Sequence, residues 1–259
     1  MSLATKAVIG VGMLLIAAAA TPAFADTPIV PPGNPCLMDN GNPCKDNNGN
    51  LGHQGNVNKE KATIVTDPPP INLSMPPVSD RGVFISQIGD GNVANAVQYE
   101  PNAYASVVQN GNSNDAELSQ TGTGTGYMAV SQTGDLNFAN LDQSGSGQNV
   151  VYASQDGTGN WMWSNQSALG SIFNGAELTQ TGNYNDMQLD QEGSDNLAVL
   201  TQQGDNDAMT ATQLGDGNRL TWIQDGSNLS DLQITQTGAA QAGGQLMITQ
   251  TNIGNGNGH

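Results

Sequence analysis

The sequence predicts an all-β fold: a β-solenoid of about seven coils, each built from two 11-residue half-repeats, with strands stacked in cross-β fashion. Two observations support this prediction. Glutamine recurs at a nearly constant spacing over most of the chain, and the residues before each glutamine alternate between apolar and polar. A long period that contains a period-two alternation is typical of stacked β-strand repeats.

Fifteen glutamines define the long period; nine of their fourteen spacings are eleven residues, three are twelve and two are fourteen. They are Gln87, Gln98, Gln109, Gln120, Gln132, Gln143, Gln155, Gln166, Gln180, Gln191, Gln202, Gln213, Gln224, Gln236 and Gln250. The predicted solenoid therefore occupies residues 81–250.

Each half-repeat reads as one strand followed by a turn. In residues 137–143, NFANLDQ, the positions Asn137, Ala139, Leu141 and Gln143 are two apart, so they share one face of a strand. Asn stands six residues before the glutamine in nine of fifteen units, and apolar residues fill the two positions between them in most units. The alternate positions are mostly polar. We expect the Asn-apolar-apolar-Gln face to point inward and the other face to meet water.

Glycine stands two residues after the glutamine in twelve of the fifteen units. Glycine and aspartate in short segments between strands are typical of tight turns. The predicted turn glycines include Gly89, Gly111, Gly134, Gly157, Gly193 and Gly215.

A single half-repeat cannot bury its own apolar face, so coils must stack, at about 4.8 Å, into a solenoid on the order of 34 Å long. Equivalent amides then lie above one another and can pair along the axis, which a buried amide requires. The predicted ladder contains Asn92, Gln98, Asn114, Gln120, Asn137, Gln143, Asn160, Gln166, Asn185, Gln191, Asn196, Gln202, Gln213, Asn218, Gln224 and Gln236.

The pattern Asn-x-Ala-x-x-x-Gln-x-Gly, seen in NVANAVQ, NFANLDQSG and NLAVLTQQG, resembles the curlin repeat of the curli family over residues 84–250. That family supplies extracellular amyloid fibres of Gram-negative bacteria. The resemblance implies a fibre subunit or nucleator, homologous curlin subunits as partners, and export through an outer-membrane pore to the cell surface. Here Asn replaces the Ser that the family typically places at the start of alternate half-repeats, and more coils are implied than the usual five.

The flanks differ from the repeats. Residues 1–25 carry Lys6, an apolar run and Ala-Phe-Ala before Asp26, which predicts a secretory signal peptide too short to anchor in a membrane. Residues 26–80 are rich in Pro, Asn and Gly and predict a flexible segment; residues 251–259 predict a flexible tail. An exported chain permits a disulfide between Cys36 and Cys44. A metal site at these cysteines would need further ligands.

Composition excludes several classes of function. After residue 25 the chain holds 23 acidic and five scattered basic residues, so nucleic acid is not an expected partner. His53 and His259 cannot form a catalytic set with neighbouring nucleophiles, and no phosphate-binding loop precedes a helix. We therefore expect no enzyme activity and no cofactor, and no later segment is apolar enough to span a membrane.

The expected function is self-association into extracellular fibres for adhesion and biofilm matrix, because the sequence shows no capping repeat at either end. Aspartates and glycines in the turns serve either to slow premature assembly or simply as turn and solubility residues. An alternative is a monomeric exported solenoid that binds a glycan, ice or a cation on its outer face. A calcium solenoid is disfavoured because its nine-residue Gly-Asp register is absent.

Trp161 and Trp163 fall on the outward parity of their strand, with Met162 and Ser164 inward. Exposed aromatic residues often mark binding surfaces, so these tryptophans serve lateral contacts or adhesion, or else reflect a local irregularity before the fourteen-residue spacing.

Overall fold

A computed structural model describes residues 59–74, 76, 81–100, 102–170, 173–238 and 244–253. All of them belong to the second of two compact units, residues 56–259. The predicted signal peptide, Cys36, Cys44 and residues 254–259 lie outside the described residues.

The described residues form sixteen β-strands. These are β1 (Lys59–Val65), β2 (Gly82–Ile88), β3 (Val93–Gln98), β4 (Tyr104–Asn110), β5 (Asp115–Gln120), β6 (Thr125–Asp135), β7 (Phe138–Gly145), β8 (Gln148–Thr158), β9 (Trp161–Ala168), β10 (Asn174–Asn183), β11 (Asp186–Gly193), β12 (Leu197–Gln203), β13 (Ala208–Leu214), β14 (Arg219–Asp225), β15 (Ile234–Thr237) and β16 (Gln245–Ile253).

From β2 onward, successive strands alternate between two parallel sheets, which makes the fold a β-solenoid of about seven coils, as predicted. The nine-stranded sheet has the order β1-β16-β14-β12-β10-β8-β6-β4-β2, and the seven-stranded sheet has the order β15-β13-β11-β9-β7-β5-β3. Each glutamine of the period lies in register with the glutamine of the next coil, as Gln120 with Gln143 and Gln143 with Gln166. One coil therefore corresponds to two half-repeats.

The inward face of the strands makes the core between the two sheets. Ala139, Leu141, Met187 and Leu189 are fully buried, as are most residues at the same two positions in the other coils. Trp222 occupies one of these positions and is also fully buried. Alternate positions are exposed or half-buried, so the predicted inward and outward parity is confirmed.

The strand β1 was not predicted. It lies within residues 26–80, which the sequence pattern indicated to be flexible, and pairs with β16 in seven antiparallel register positions, Lys59 opposite Ile253 through Val65 opposite Met247. It therefore covers one edge of the nine-stranded sheet, and the prediction that neither end carries a cap is wrong for this edge. The last strand also continues to Ile253, three residues into the segment interpreted as a tail.

Candidate functional site

The glutamines form two continuous side-chain ladders along the solenoid axis, one in each sheet. In the seven-stranded sheet, each Nε2 donates to the Oε1 of the next glutamine, at 2.6 to 3.1 Å, through Gln98, Gln120, Gln143, Gln166, Gln191, Gln213 and Gln236. In the nine-stranded sheet the distances are 2.7 to 3.1 Å through Gln87, Gln109, Gln132, Gln155, Gln180, Gln202, Gln224 and Gln250.

Both ladders have the same polarity. Every donor nitrogen points toward the C-terminal coil and every acceptor oxygen toward the N-terminal coil. Most of these amides also donate to a backbone carbonyl of the other sheet, as where Gln143 Nε2 donates to Tyr127 O at 3.1 Å. Interior glutamines such as Gln143 and Gln191 are almost fully buried, so the ladders satisfy amides that water cannot reach.

The asparagines behave differently from the glutamines. Asn137 Oδ1 accepts from both the side chain and the backbone N–H of Asn160, while Asn137 Nδ2 donates to Gly157 O at 2.9 Å. The asparagines thus hold the backbone of the turns as well as each other. They fill one column over Asn92, Asn114, Asn137, Asn160 and Asn185, and another that includes Asn174, Asn196 and Asn218.

The structure thus places all of the predicted ladder residues in ladders. It adds Gln87, Gln109, Gln132, Gln155, Gln180, Gln250 and Asn174, for which the spacing of the repeat was the available signal.

The predicted turn glycines all have positive φ, between 84° and 133°. At Gly111, with φ of 133°, a Cβ would also collide with the carbonyl oxygen of Gly134 in the next coil. Turn glycine is therefore needed for close stacking as well as for backbone conformation.

Two acidic side chains stand where the asparagine columns are interrupted, and the sequence pattern pointed to neither. Asp207 continues the column after Asn185; it is almost fully buried, and its Oδ2 makes no hydrogen bond to the described residues. Burial raises the pKa of Asp207 to about 6, the charges of Asp205 and Glu60 add to the rise, and the backbone N–H of Leu229 opposes it.

Glu100 is buried beside Gly126, which stands at an asparagine position of the repeat. Burial raises the pKa of the Glu100 carboxyl, and the nearby amide of Gly126 offsets this only in part. Asp207 and Glu100 do not follow the repeat, so the only sequence signal for them was the missing asparagine at positions 207 and 126.

At the N-terminal end of the solenoid, no other strand among the described residues pairs with the outer edges of the first two repeat strands. The strands β2 and β3 are the last strands of their sheets. Val83 and Ile85 are 40% and 47% exposed, whereas Ala105 and Val107, at the same positions one coil further, are fully buried. The apolar interior therefore meets solvent at this end, beside two strand edges that pair with no other described strand.

Aromatic side chains form a row on the outer face of the nine-stranded sheet. Phe84, Tyr104, Tyr127 and Tyr152 follow one another with ring centroids 4.9 to 5.3 Å apart. On the other sheet, Trp161 packs on Phe138 at 4.7 Å and is 46% exposed. Met162 and Ser164 point inward, as predicted.

No protein-family model, curated protein or solved structure matches this chain. Within the described residues, no three His, Cys, Asp or Glu side chains are grouped to hold a metal ion. The same residues contain no helix with the length and hydropathy to cross a membrane.

Proposed function

We propose that this protein is a secreted structural subunit that assembles end to end into extracellular, curli-type amyloid fibres for adhesion and biofilm matrix. The predicted signal peptide supports export, and the repeat resemblance supports passage through an outer-membrane pore with homologous subunits as partners.

The observation that carries the proposal is the polarity of the glutamine ladders. A ladder whose amides all point one way ends in acceptors at one face of the molecule and in a donor at the other, so two copies of the same polarity are complementary head to tail. Gln87 Oε1 and Gln98 Oε1 face outward from the first coil, and Gln250 Nε2 faces outward from the last. The contact would repeat the one that already joins coils within the chain.

The open N-terminal coil adds an apolar contribution. Stacking a second copy there would cover Val83 and Ile85 and pair the outer edge of β2, which no other described strand covers. Burial of apolar surface together with a complete backbone and amide ladder is the combination that stabilises amyloid.

The test is thioflavin fluorescence of residues 26–259 diluted from denaturant at micromolar concentration, with and without preformed seeds, followed by electron microscopy. We expect a lag that seeds shorten, and unbranched fibres. A stable β-rich monomer that seeds never convert would overturn the proposal.

A matched pair of variants links assembly to the open end. Ile85→Lys places a charge on the half-exposed inward face of β2, where the isolated molecule tolerates it but a docked copy would bury it. Ser86→Lys places the same charge on the exposed outward face of the same strand. We expect Ile85→Lys to abolish seeded growth and Ser86→Lys to retain it; equal growth would contradict docking at this end.

The aromatic row favours a second candidate, a monomeric solenoid that binds a glycan on its outer face. Aromatic rings at regular spacing on the outer face of a sheet suit stacking against sugar rings, and a shallow groove of about 270 Å³ lies beside Tyr152 and Glu177. For this candidate, the protein should stay monomeric and bind an immobilised polysaccharide, and Tyr127→Ala should weaken that binding. Loss of such binding without any fibre formation would favour this candidate over the first.

A further inference from the structure

The C-terminal edge of the nine-stranded sheet is covered by a strand that does not belong to the repeats. Of the fourteen strand pairs among the described residues, the pair β1–β16 is antiparallel and the others are parallel. Opposite Gln250, where every earlier coil supplies a glutamine, β1 supplies Ala62. The strand therefore occupies the edge without continuing the repeat.

Glu60 ends the glutamine ladder of this sheet. Gln250 Nε2 donates to Glu60 Oε1 at 2.5 Å, and the backbone N–H of Ser230 points to the same carboxylate at 3.2 Å. An ionised carboxylate only accepts hydrogen bonds, so it satisfies the last donor and passes none on. In the seven-stranded sheet the last amide, Gln236, instead donates to the backbone oxygens of Arg219 and Gly244.

The side chains of β1 add little packing. Ile64 lies in register with the fully buried Ile248, yet Ile64 itself is 60% exposed, and Val65 is 40% exposed. The strand is held mainly by its backbone ladder and by Glu60. Elements with few buried apolar contacts are the ones that open locally at the lowest cost in free energy.

A second copy of this chain matches the covered edge better than β1 does. If its β2 paired with β16 in the parallel register of the repeats, Gln87 would lie beside Gln250 and Ile85 beside Ile248, as Gln87 and Ile85 lie beside Gln109 and Val107 on their other side. The docked strand would continue the ladder and bury Ile85, whereas β1 stops the ladder and leaves Ile64 in solvent.

We propose that β16 is the docking surface for the first coil of a second copy, and that β1 occupies this surface in the isolated molecule and leaves it when the copies join. The inference rests on the proposed fibre function. It identifies the contact through which copies add to a fibre, and the strand that slows this addition. Since only the uncapped fraction of molecules can dock, the cap lowers the apparent affinity between copies by that fraction.

The number of strands in each sheet indicates where β1 could lie after it leaves β16. Without it, the fifteen half-repeats put eight strands in one sheet and seven in the other. Docking β2 of the next copy on β16 then leaves one strand position open in the seven-stranded sheet, and the seven residues of β1 have the length to fill it.

The test is a reversible disulfide that joins β1 to β16, which we call the lock. Thr63 and Thr249 are cross-strand partners in β1 and β16, so Thr63→Cys with Thr249→Cys, in a background of Cys36→Ser and Cys44→Ser, would join the two strands by a disulfide when oxidised. The control disulfide joins Gln188→Cys and Thr210→Cys, which are partners on the outer face of neighbouring interior strands. Seeded thioflavin kinetics are measured for each protein before and after reduction.

We expect the oxidised lock to elongate seeds at least about tenfold more slowly than its reduced form, because a locked molecule cannot expose β16 to the next copy, while the control elongates equally in both states. If the lock forms but elongation is unchanged, the inference about β1 is wrong. It is also wrong if the two cysteines fail to pair. Neither result contradicts the fibre proposal. If no protein elongates even when reduced, the fibre proposal itself fails.

Discussion

At the scale of single residues, buried amides carry the specificity of this fold. Leucine or methionine could fill the interior equally well, but glutamine has a donor and an acceptor that must both meet partners in one register. Gln191 shows the full set: its Oε1 accepts from Gln166, its Nε2 donates to Gln213 Oε1 at 2.7 Å, and the same Nε2 reaches Gly175 O.

Gln191→Leu should lower the free energy of unfolding of the monomer by roughly 1–3 kcal/mol for each neighbouring amide group left unsatisfied. The matched control is Gln188→Leu, which makes the same change three residues away on the exposed face of β11. Urea unfolding of both variants checks the prediction. Similar losses for the two variants would show that the ladder contributes no specific stability.

Asp207→Asn should stabilise the protein at pH 7 and reduce its pH dependence. The new amide can donate to Gly226 O, as Asn185 does to Gly204 O at 2.9 Å. Because the pKa of Asp207 is raised to about 6, the folded state favours the protonated acid. Its stability contribution is therefore complete below about pH 4 and is lost as the pH rises through 6, by roughly 1–3 kcal/mol.

The measurement is urea unfolding from pH 4 to pH 8 for the wild type, Asp207→Asn and the control Asp225→Asn, whose side chain is exposed. Burial also raises the pKa of Asp142, Asp186 and Asp190, so the difference between wild type and Asp207→Asn isolates the effect of Asp207. A difference that stays constant across this range would refute the assignment.

At the scale of the strand and turn, each half-repeat must end in a bend tight enough for the next coil to stack directly on it. Glycine meets this need twice, through its positive φ and through the absence of a Cβ that would strike the carbonyl of the next coil. Gly111 needs both properties, whereas Gly82, at the open end, has a φ of 116° but no atom within 4 Å of the place that a Cβ would occupy.

Gly111→Ala should therefore destabilise the monomer more than Gly82→Ala. Both variants incur backbone strain of about 1–3 kcal/mol, and only Gly111→Ala adds the collision with Gly134 O. Thermal unfolding followed by far-ultraviolet circular dichroism compares them. Equal shifts in Tm would mean that strain alone, and not stacking distance, selects glycine in these turns.

The repeat made the strands, their parity, the turns and the ladders predictable, because each of these features occurs many times and its period can be read directly. The strand β1 has no such signal: Lys59–Val65 could pair with any free edge, and its antiparallel pairing with β16 depends on the finished solenoid. Asp207 and Glu100 were missed for a related reason, since each occurs once. Asp207 replaces an asparagine of the repeat, and Glu100 lies beside Gly126, which also stands at an asparagine position.

At the scale of the whole molecule, the two ends of the solenoid differ in chemistry. The first coil offers acceptors, exposed apolar side chains and two strand edges that no other described strand covers, while the last coil offers a donor that Glu60 satisfies and an edge that β1 covers. Under the proposed fibre function, the covered end would keep the copies apart until β1 leaves β16, and the copies would then form one continuous solenoid.

Helical reconstruction of the fibres by electron cryomicroscopy would show whether neighbouring copies form one continuous solenoid. We expect stacked rungs about 4.8 Å apart, one chain per eight coils or about 38 Å of fibre, and a glutamine ladder that runs unbroken from Gln250 of one copy to Gln87 of the next. A fibre in which each chain lies flat in a single layer, with a new copy every 4.8 Å or so, would contradict it.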